Sequence, residues 1–335
     1  MEDIAWDFLR RRKWVVVAIV VGILIVFAAA VAAGLAPAGS EGNMAPVMVT
    51  VAHGTGFFEV AKTLDAAHLL RSRLAFEMFA FLCGSAFHVQ SGTYRLTSAM
   101  SALTMLRELS SGTPSVTVRI AEGSNIYEID KTLADAGIIT RGDLINFKGG
   151  GDLEGKLFPD TYQFFEGSDI SVVVRKFLDD FNEKAAPLLP SDANNMKQDL
   201  TLASIIEKEA PSSSDQSIIA GIILKRMADG MRLQLDPTVC YAKQITLPSE
   251  IVDCSALTRA DFTAGSPYDS AYNTYLYGGL PPGPIGNPGT AAITAALHPT
   301  KSPYLYYISD PTTGKIYYAA TLAEQNANIK KYIGE

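Results

Sequence analysis

The sequence has few of the residues that build metal and cofactor sites. Its 335 residues include only three cysteines and four histidines, which form no CxxC pair and no zinc-type spacing. It also lacks a GxSxG nucleophile motif, a P-loop and a dinucleotide-binding GxGxxG motif. These absences argue against zinc, nucleotide and serine-hydrolase chemistry. The sequence therefore predicts no metal and no cofactor.

Basic residues are in the minority as well. Lys and Arg number 28 against 35 Asp and Glu, which gives a net charge of −7. Proteins that bind nucleic acid need clustered cations to neutralise phosphates, so we expect no nucleic-acid partner. Among the cysteines, Cys240 and Cys254 either pair in an oxidising compartment or remain free buried thiols.

One hydrophobic run, at residues 14–34, is long enough to cross a bilayer and carries no charge. A basic cluster at 10–13 precedes it, and the positive-inside rule then leaves a tail at 1–13 in the cytoplasm. A cleaved signal peptide is the alternative, because small residues follow the run. The run exceeds a usual signal core, so the sequence favours an uncleaved single-pass anchor followed by a linker at 35–47.

An internal repeat follows the linker. The segments Val49–Leu70 and Val116–Ile139 share one pattern, with a constant offset from Gly54 and Gly123 onward. Each copy predicts a short strand, a glycine turn and an amphipathic helix. Two interpretations stay open for the region 48–150: a pair of scaffolding βα units, or a wall-binding module that resembles LysM repeats, which hold N-acetylated glycans.

A glycine run at Gly149–Gly151 marks a boundary, and the region 151–335 forms the next predicted domain. Its hydrophobic periodicity predicts helices and short strands, and this mixture favours an α+β fold. The predicted helices lie at 171–188, 197–210 and 215–228, and the predicted strands at 231–235 and 304–308.

The helix at 200–210 carries a carboxylate among apolar side chains. At 100° per residue, Glu209 projects from the same arc as Ile205 and Ile206, whereas Glu207 lies 160° away from Glu209. An apolar environment would raise the pKa of Glu209, as a general acid near neutral pH requires. The alternative is that Glu209 lies at the end of the helix and reaches solvent.

Polar and aromatic residues follow this helix in patterns typical of sugar-binding sites. The segment 231–236 alternates apolar and polar residues, which predicts a strand with one polar face. The later loop at 271–289 is rich in Pro, Gly, Tyr and Asn, and rigid loops of this kind often carry function. The candidate substrate contacts are Arg232, Gln234, Asp236, Tyr272, Asn273 and Tyr275.

Six strings, taken together, form a specific signature between Leu153 and Ile329. In order, they are LEGKLFPDTYQF, LASIIEKEA, RMADGMRLQLDPTVCYA, SAYNTYLYGGLPPGPIGNPG, ALHPTKSPYLYYI and LAEQNANI. With them the chain resembles the YceG-like (MltG) family of endolytic murein transglycosylases, and its repeats resemble the LysM-like region of that family. The resemblance makes 151–335 the catalytic domain of a protein in the bacterial inner membrane, with that domain outside the cytoplasm.

The resemblance also implies a reaction and a catalytic residue. The implied reaction cuts the β-1,4 bond between N-acetylmuramic acid and N-acetylglucosamine in nascent glycan strands, leaving 1,6-anhydro ends and ending strand elongation. The implied catalytic acid is Glu209, the second Glu of the EKE run. Peptidoglycan strands are the implied substrate, and peptidoglycan synthases are candidate partners. The sequence departs from the family at Ala210, where Thr is usual, and at Gln325, where His is usual.

Two other functions fit the residues. A glycoside hydrolase would use two carboxylates, Glu209 with either Asp236 or Glu207, and would leave reducing ends. A non-catalytic protein would use the repeats to bind the cell wall from its membrane anchor. Product mass separates the lyase from the hydrolase, because anhydro ends are one water lighter.

Overall fold

A computed structural model gives the fold of the chain. It describes residues 2–39, 46–52, 54–112, 115–148, 152–210, 212–310 and 312–334, with only the backbone described for 2–15. The chain divides into two compact units, Met1–Ser115 with Phe165–Asp169, and Val116–Phe164 with Ile170–Glu335. The boundary predicted at Gly149–Gly151 lies outside the described residues, as do residues 40–45 of the predicted linker. The proposed domain limits therefore stay predictions.

The hydrophobic run lies in the first helix, α1 (Glu2–Gly34). Within it, the 19 residues Val16–Gly34 are long and apolar enough to cross a membrane. Large side chains from Val16 to Phe27 are exposed, so they are not covered by the protein's own core. This exposure is compatible with a membrane anchor.

The first unit is a small mixed domain after α1. Strand β1 (Val47–Val51) pairs antiparallel with β2 (Gly92–Leu96). Its helices are α2 (Phe57–Ala66), α3 (Arg73–Leu82) and α4 (Ala102–Ser111), with a 3₁₀ turn at Ser85–Phe87. The helices cover one core, in which Leu64, Phe76 and Met105 are fully buried.

The second unit contains the remaining strands and helices in two hydrophobic clusters. Strand β3 (Ser115–Arg119) lies beside β4 (Thr161–Phe165), and β5 (Tyr306–Ser309) pairs antiparallel with β6 (Ile316–Ala319). Its helices are α5 (Ile126–Asp135), α6 (Ile170–Lys184), α7 (Ala193–Glu209), α8 (Ser213–Ala228), α9 (Asp236–Thr246), α10 (Thr290–Leu297) and α11 (Leu322–Tyr332), with 3₁₀ turns at Ala186–Leu188, Cys254–Ala256 and Arg259–Phe262. The mixed composition confirms the predicted α+β class.

The two repeat copies share detailed backbone geometry. Gly54 and Gly123 both have positive φ, +83° and +76°, at the turn before the helix. After the helix, His68 (φ +56°) stands where the second copy has Gly137 (φ +71°). In each copy the next amide donates at 3.0 Å to the carbonyl five positions earlier, which closes the helix. The predicted strand, turn and helix are confirmed, but the copies lie in different compact units, and their likeness to LysM stays a prediction.

The predicted strand at 231–235 is wrong. Leu233 and Leu235 are buried, as the alternation requires, but the segment pairs with no strand among the described residues. Gln234 between them has φ +54°, a left-handed conformation that interrupts an extended run. Its amide donates instead to the carbonyl of Thr274 at 3.2 Å, and the helix α9 begins at Asp236.

Cys240 and Cys254 form a disulfide, with their Cα atoms 5.4 Å apart, which settles the alternative that the sequence leaves open. The bond joins α9 to the 3₁₀ turn that follows it. Cys83 is free and exposed.

A buried carboxylate joins separate segments of the second unit. Both oxygens of Glu154 accept from the amide of Ile126, the first residue of α5, at 3.2 and 3.1 Å. They also accept from Tyr241 Oη at 2.9 Å and Asn287 Nδ2 at 2.8 Å. The other side-chain atom of Asn287, Oδ1, accepts from the amide of Leu157 at 2.8 Å. Burial raises the pKa of Glu154 to about 7, although its hydrogen bonds with Ile126 and Tyr241 oppose the rise.

Replacing Glu154 should change how stability depends on pH. The pKa of Glu154 rises from 4.5 to about 7 on folding. The stabilisation that this shift adds to the free energy of unfolding is therefore complete below pH 4.5 and is lost as pH rises through 7. Glu154→Gln keeps an oxygen for the amide of Ile126 but does not titrate. The difference in unfolding free energy between wild type and Glu154→Gln should therefore change by roughly 2–3 kcal/mol between pH 5 and pH 8. Denaturant unfolding of the detergent-solubilised chain measures it.

Glu154→Ala is the control for the hydrogen bonds themselves. It leaves buried donors unsatisfied, at a cost of about 1–3 kcal/mol for each group, so it should be less stable than Glu154→Gln at both pH values. Equal pH dependence in wild type and Glu154→Gln would show that Glu154 does not titrate in this range.

Candidate active site

A cavity of about 460 Å³ lies in the second unit, and polar and aromatic side chains line it. They come from the last turns of α7 and α8, the start of α9 and the segment before it, the loop before α10, and from β5 and α11. The polar and aromatic groups in its wall are those of Glu209, Arg226, Gln234, Asp236, Tyr275, Tyr306, Tyr307, Ser309 and Gln325.

Glu209 enters this cavity because α7 ends at that residue. The next residue, Ala210, is extended (φ −141°, ψ 130°), so Glu209 stands in the last turn. Ile205 and Ile206 of the same turn are fully buried, as the predicted apolar arc requires, whereas Glu209 is partly exposed through the cavity. Burial raises the pKa of Glu209 to about 7, and the negative charge of Asp236 adds to this effect. A carboxyl group in this state can both give and accept a proton near neutral pH.

Tyr307 on β5 is the hydrogen-bond partner of Glu209. Its hydroxyl donates to Oε2 of Glu209 at 2.8 Å, and this bond opposes the rise in the pKa of Glu209. Burial raises the pKa of Tyr307 itself far above the ordinary value, so the hydroxyl keeps its proton. Gln325 Nε2 donates to the carbonyl of Tyr307 at 2.9 Å and ties α11 to β5. Gln325 thus supports the strand that carries Tyr307.

Asp236 supplies a second carboxylate in the cavity wall. It is the first residue of α9 and is exposed, and its Oδ1 accepts from Tyr275 Oη at 2.5 Å. The ring of Tyr275 packs against Phe262, with ring centres 4.7 Å apart. Burial is the main cause that raises the pKa of Tyr275, so its hydroxyl remains a donor.

Arg226 and Gln234 form another part of the wall. Arg226 lies in the last turn of α8 and is only 8% exposed. Its Nη2 donates to Oε1 of Gln234 at 3.0 Å, and its guanidinium lies 5.7 Å from the ring centre of Tyr306. The left-handed backbone of Gln234 places that side chain toward α8 rather than along an extended strand face.

Three predicted substrate contacts lie outside the cavity wall. Arg232 is exposed and donates to the carbonyl of Leu276, and Tyr272 packs against Tyr241 with ring centres 5.0 Å apart. Asn273 is fully buried, and its Oδ1 accepts from the amide of Tyr275 at 3.0 Å, which holds the turn. The structure brings together Glu209, Gln234, Asp236 and Tyr275.

Sequence reasoning missed Arg226, Tyr306 and Tyr307 as site residues. Arg226 follows Lys225 near a helix end, where a basic residue normally reaches solvent, and only tertiary packing buries it. The two tyrosines lie in the predicted aromatic strand at 304–308. The sequence therefore predicted the strand, but the alternation of its side chains did not predict that the strand lies next to Glu209.

Glu207 has a different environment from Glu209. Its Oε2 accepts from the amide of Gly289, the N-cap of α10, at 3.0 Å, and burial raises its pKa. Glu207 therefore holds the start of a helix, and the two carboxylates of the EKE run have separate partners. Among the residues that the structure describes, no three His, Cys, Asp or Glu side chains are grouped to hold a metal ion.

The fold and site define an α+β protein with a helix of membrane-spanning length and a partly buried carboxyl group in a tyrosine-lined cavity. The chain belongs to the YceG-like family, whose model matches residues 49–331.

Three relatives are similar over most of the chain. It is 28% identical to the endolytic murein transglycosylase of Bacillus subtilis over 322 residues, covering 86% of this chain and 85% of that protein. It is 27% identical over 328 residues to the protein of the same name in Streptococcus pneumoniae, covering 86% of this chain but only 58% of that longer protein. A crystal structure of a yceG-like protein from Listeria monocytogenes is 27% identical, with a TM-score of 0.51 and coverage of 85% and 99%.

Two substitutions should move the pKa of Glu209 in opposite directions. Tyr307→Phe removes a donor that stabilises the carboxylate, so the pKa should rise above about 7. Asp236→Asn removes a negative charge that destabilises the carboxylate, so the pKa should fall. Each variant is titrated with pH in infrared spectroscopy, and the spectra of the same variant carrying Glu209→Gln are subtracted. The difference contains the signal of the Glu209 carboxyl group. Shifts of the same sign would contradict the assigned causes.

Proposed function

We propose that this protein is an endolytic murein transglycosylase that cuts the β-1,4 bond between N-acetylmuramic acid and N-acetylglucosamine in nascent strands. The observation that carries the proposal is Glu209, a partly buried carboxyl group with a pKa of about 7 in an open cavity. It is also the residue at which the family pattern expects the acid. The names of the B. subtilis and S. pneumoniae relatives support the same activity.

In the first step, protonated Glu209 gives its proton to the glycosidic oxygen, and N-acetylglucosamine leaves with a free 4-hydroxyl. The bond from that oxygen to C1 of the muramic acid breaks, and its electron pair stays with the oxygen. Tyr307 remains hydrogen-bonded to Oε2 and stabilises the carboxylate that forms. A raised pKa suits this step, because an acid with an ordinary pKa would already be ionised at neutral pH.

In the second step, the carboxylate of Glu209 takes the proton from the C6 hydroxyl of the same muramic acid. The hydroxyl oxygen forms a bond to C1, which closes the 1,6-anhydro ring without water. Because the nucleophile belongs to the substrate, its proximity replaces a second catalytic side chain. Glu209 ends the cycle protonated, as it began.

A hydrolytic outcome is the second candidate, because Asp236 lies in the wall of the same cavity as Glu209. Asp236 could then activate a water molecule, and the products would carry reducing ends. Glu207 is a weaker partner for such a reaction, since it is bonded to Gly289. The mass of the muramic acid end decides between the two, because the anhydro form is lighter by one water.

The proposed location is the bacterial inner membrane, with α1 as its single crossing and the N-terminus in the cytoplasm. The uncharged residues Val16–Gly34 and the basic cluster at 10–13 support this orientation. The Cys240–Cys254 disulfide also favours an oxidising space outside the cytoplasm. An enzyme held there meets strands as they are made, so peptidoglycan synthases are proposed as its neighbours, and cleavage would end strand elongation.

Glu209→Gln should abolish most turnover on purified sacculi, because it keeps the shape but has no proton to give. We expect a loss of at least about 10²–10⁴-fold, since one group serves as both acid and base. Glu207→Gln is the matched control on the same helix. It should keep most turnover, because its amide oxygen can still accept from Gly289.

Mass spectrometry of the released muropeptides gives both the rate and the product type, and circular dichroism checks folding. Anhydro products from wild type support the lyase, and reducing ends support the hydrolase. If wild type releases no product of either kind, the proposed enzyme activity is wrong. If Glu209→Gln is active and Glu207→Gln is inactive, the two roles must be exchanged.

The orientation predicts the behaviour of reporters fused after Glu335. Alkaline phosphatase folds only in an oxidising compartment, so its fusion should be active, and a matched green fluorescent protein fusion should be dark when exported through the Sec pathway. Replacing the basic cluster at 10–13 with neutral residues should weaken this bias. A fluorescent fusion together with an inactive phosphatase fusion would place the second unit in the cytoplasm and contradict the proposal.

A further inference from the structure

Arg226 is a buried cation in the cavity that holds Glu209, and the proposed acid–base reaction does not use it. It is 8% exposed, and its Nε is buried without a hydrogen-bond partner. Burial is the main influence on its pKa, and the groups around it include the hydroxyls of Tyr275, Tyr306 and Tyr307, which are neutral near pH 7. Among the described residues, no carboxylate forms an ion pair with it.

An unpaired buried guanidinium is costly. Burial lowers the pKa of Arg226, but an arginine starts from such a high value that it stays charged. A buried charge normally has an opposite charge as its partner, because removing a charged group from water is costly. The guanidinium of Arg226 has instead a neutral amide, Gln234, and an aromatic ring, Tyr306. Glu209 and Asp236 line the same cavity but form no ion pair with Arg226, so an anion that enters the cavity could pair with it.

The local backbone also fixes the position of this cation. Gln234, whose Oε1 accepts from Nη2 of Arg226, has a left-handed φ of +54°. A residue other than glycine pays a conformational cost there, and such conformations concentrate at functional sites. The amide of Leu235 donates to Thr274 Oγ1 at 3.0 Å, and that of Gln234 to the Thr274 carbonyl, so the loop holds the strained segment. Arg226 is thus oriented before any ligand arrives.

We propose that Arg226 is a specificity-determining residue whose guanidinium binds a carboxylate of the glycan strand beside the bond that is cut. The inference rests on the proposed function, which makes murein the substrate. N-acetylglucosamine is neutral, whereas the muramic acid unit carries carboxylates. Binding one of them would distinguish the two sugars and place a muramic acid, with its C6 hydroxyl, next to Glu209. A guanidinium suits this task because its planar donors match a carboxylate.

Two sources can supply this carboxylate. A peptide-free muramic acid has a free lactyl carboxylate, whereas in a peptide-bearing unit that group is an amide and the stem peptide supplies the carboxylates. The experiment therefore uses four strand preparations: peptide-free and peptide-bearing strands, each with native carboxylates or with carboxylates converted to methylamides. Binding to the full-length Glu209→Gln chain in detergent is measured by calorimetry, so that no cleavage occurs.

In this background, Arg226→Gln should weaken binding of the recognised native strand by roughly 10- to 100-fold. It should leave binding of the matching methylamide strand nearly unchanged. If only the peptide-free strands show this difference between native and methylamide forms, the bound carboxylate is the lactyl group. If only the peptide-bearing strands show it, the bound carboxylate belongs to the stem peptide. Arg226→Lys keeps the charge without the planar fork and should recover part of the affinity. Arg175 is an exposed arginine of α6, so Arg175→Gln removes the same charge away from the cavity. This control should leave the affinity for every strand preparation unchanged.

A uniform loss of affinity for native and methylamide strands would overturn the inference, because a purely structural role would weaken both. No loss on any strand would overturn it as well. Product analysis with the wild-type chain keeps this result separate from the proposed function. Anhydro products together with a uniform effect of Arg226→Gln would reject the carboxylate site alone, whereas absence of cleavage would reject the activity.

Discussion

The hydrogen bonds of Glu154 are the constraint on which the geometry of the second unit depends most. Through Ile126, Tyr241 and Asn287, one carboxyl group fixes the start of α5, the middle of α9 and the loop before α10. That loop approaches the turn after β3 so closely that a Cβ on Gly286 would stand 2.4 Å from the carbonyl oxygen of Gly123. Because α9 begins with Asp236, the same network determines where one wall of the cavity lies.

Two carboxyl groups with similar pKa values, each about 7, differ in their hydrogen-bond partners and in their access to the cavity. Glu154 accepts from three separate groups, so its oxygens are occupied and a proton cannot easily be transferred. Among the described residues, Tyr307 is the hydrogen-bond partner of the Glu209 carboxyl group, which faces a cavity where a substrate oxygen can approach. A raised pKa therefore identifies a functional acid only together with access and a free lone pair.

The sequence predicted what depends on local periodicity. The apolar arc of α7 predicted that Glu209 and Glu207 face different sides of the helix, and the two have different hydrogen-bond partners. The repeat predicted matching turns at Gly54 and Gly123. It failed at the segment 231–235, where alternation predicted a strand but contacts with Thr274 hold Gln234 in a left-handed conformation. It also missed Arg226. Burial of a basic residue in a last helical turn depends on the packing of distant strands, which no single-segment pattern contains.

Charge balance links the proposed acid to the proposed carboxylate site. In the free protein, the cation of Arg226 and the anion of Asp236 share the cavity with a Glu209 that is about half protonated near pH 7. A bound carboxylate would add negative potential to the cavity, which favours the protonated form of Glu209. Binding of the correct sugar would thus prepare Glu209 to give its proton. On this proposal, recognition of muramic acid and activation of the catalytic acid are the same electrostatic event.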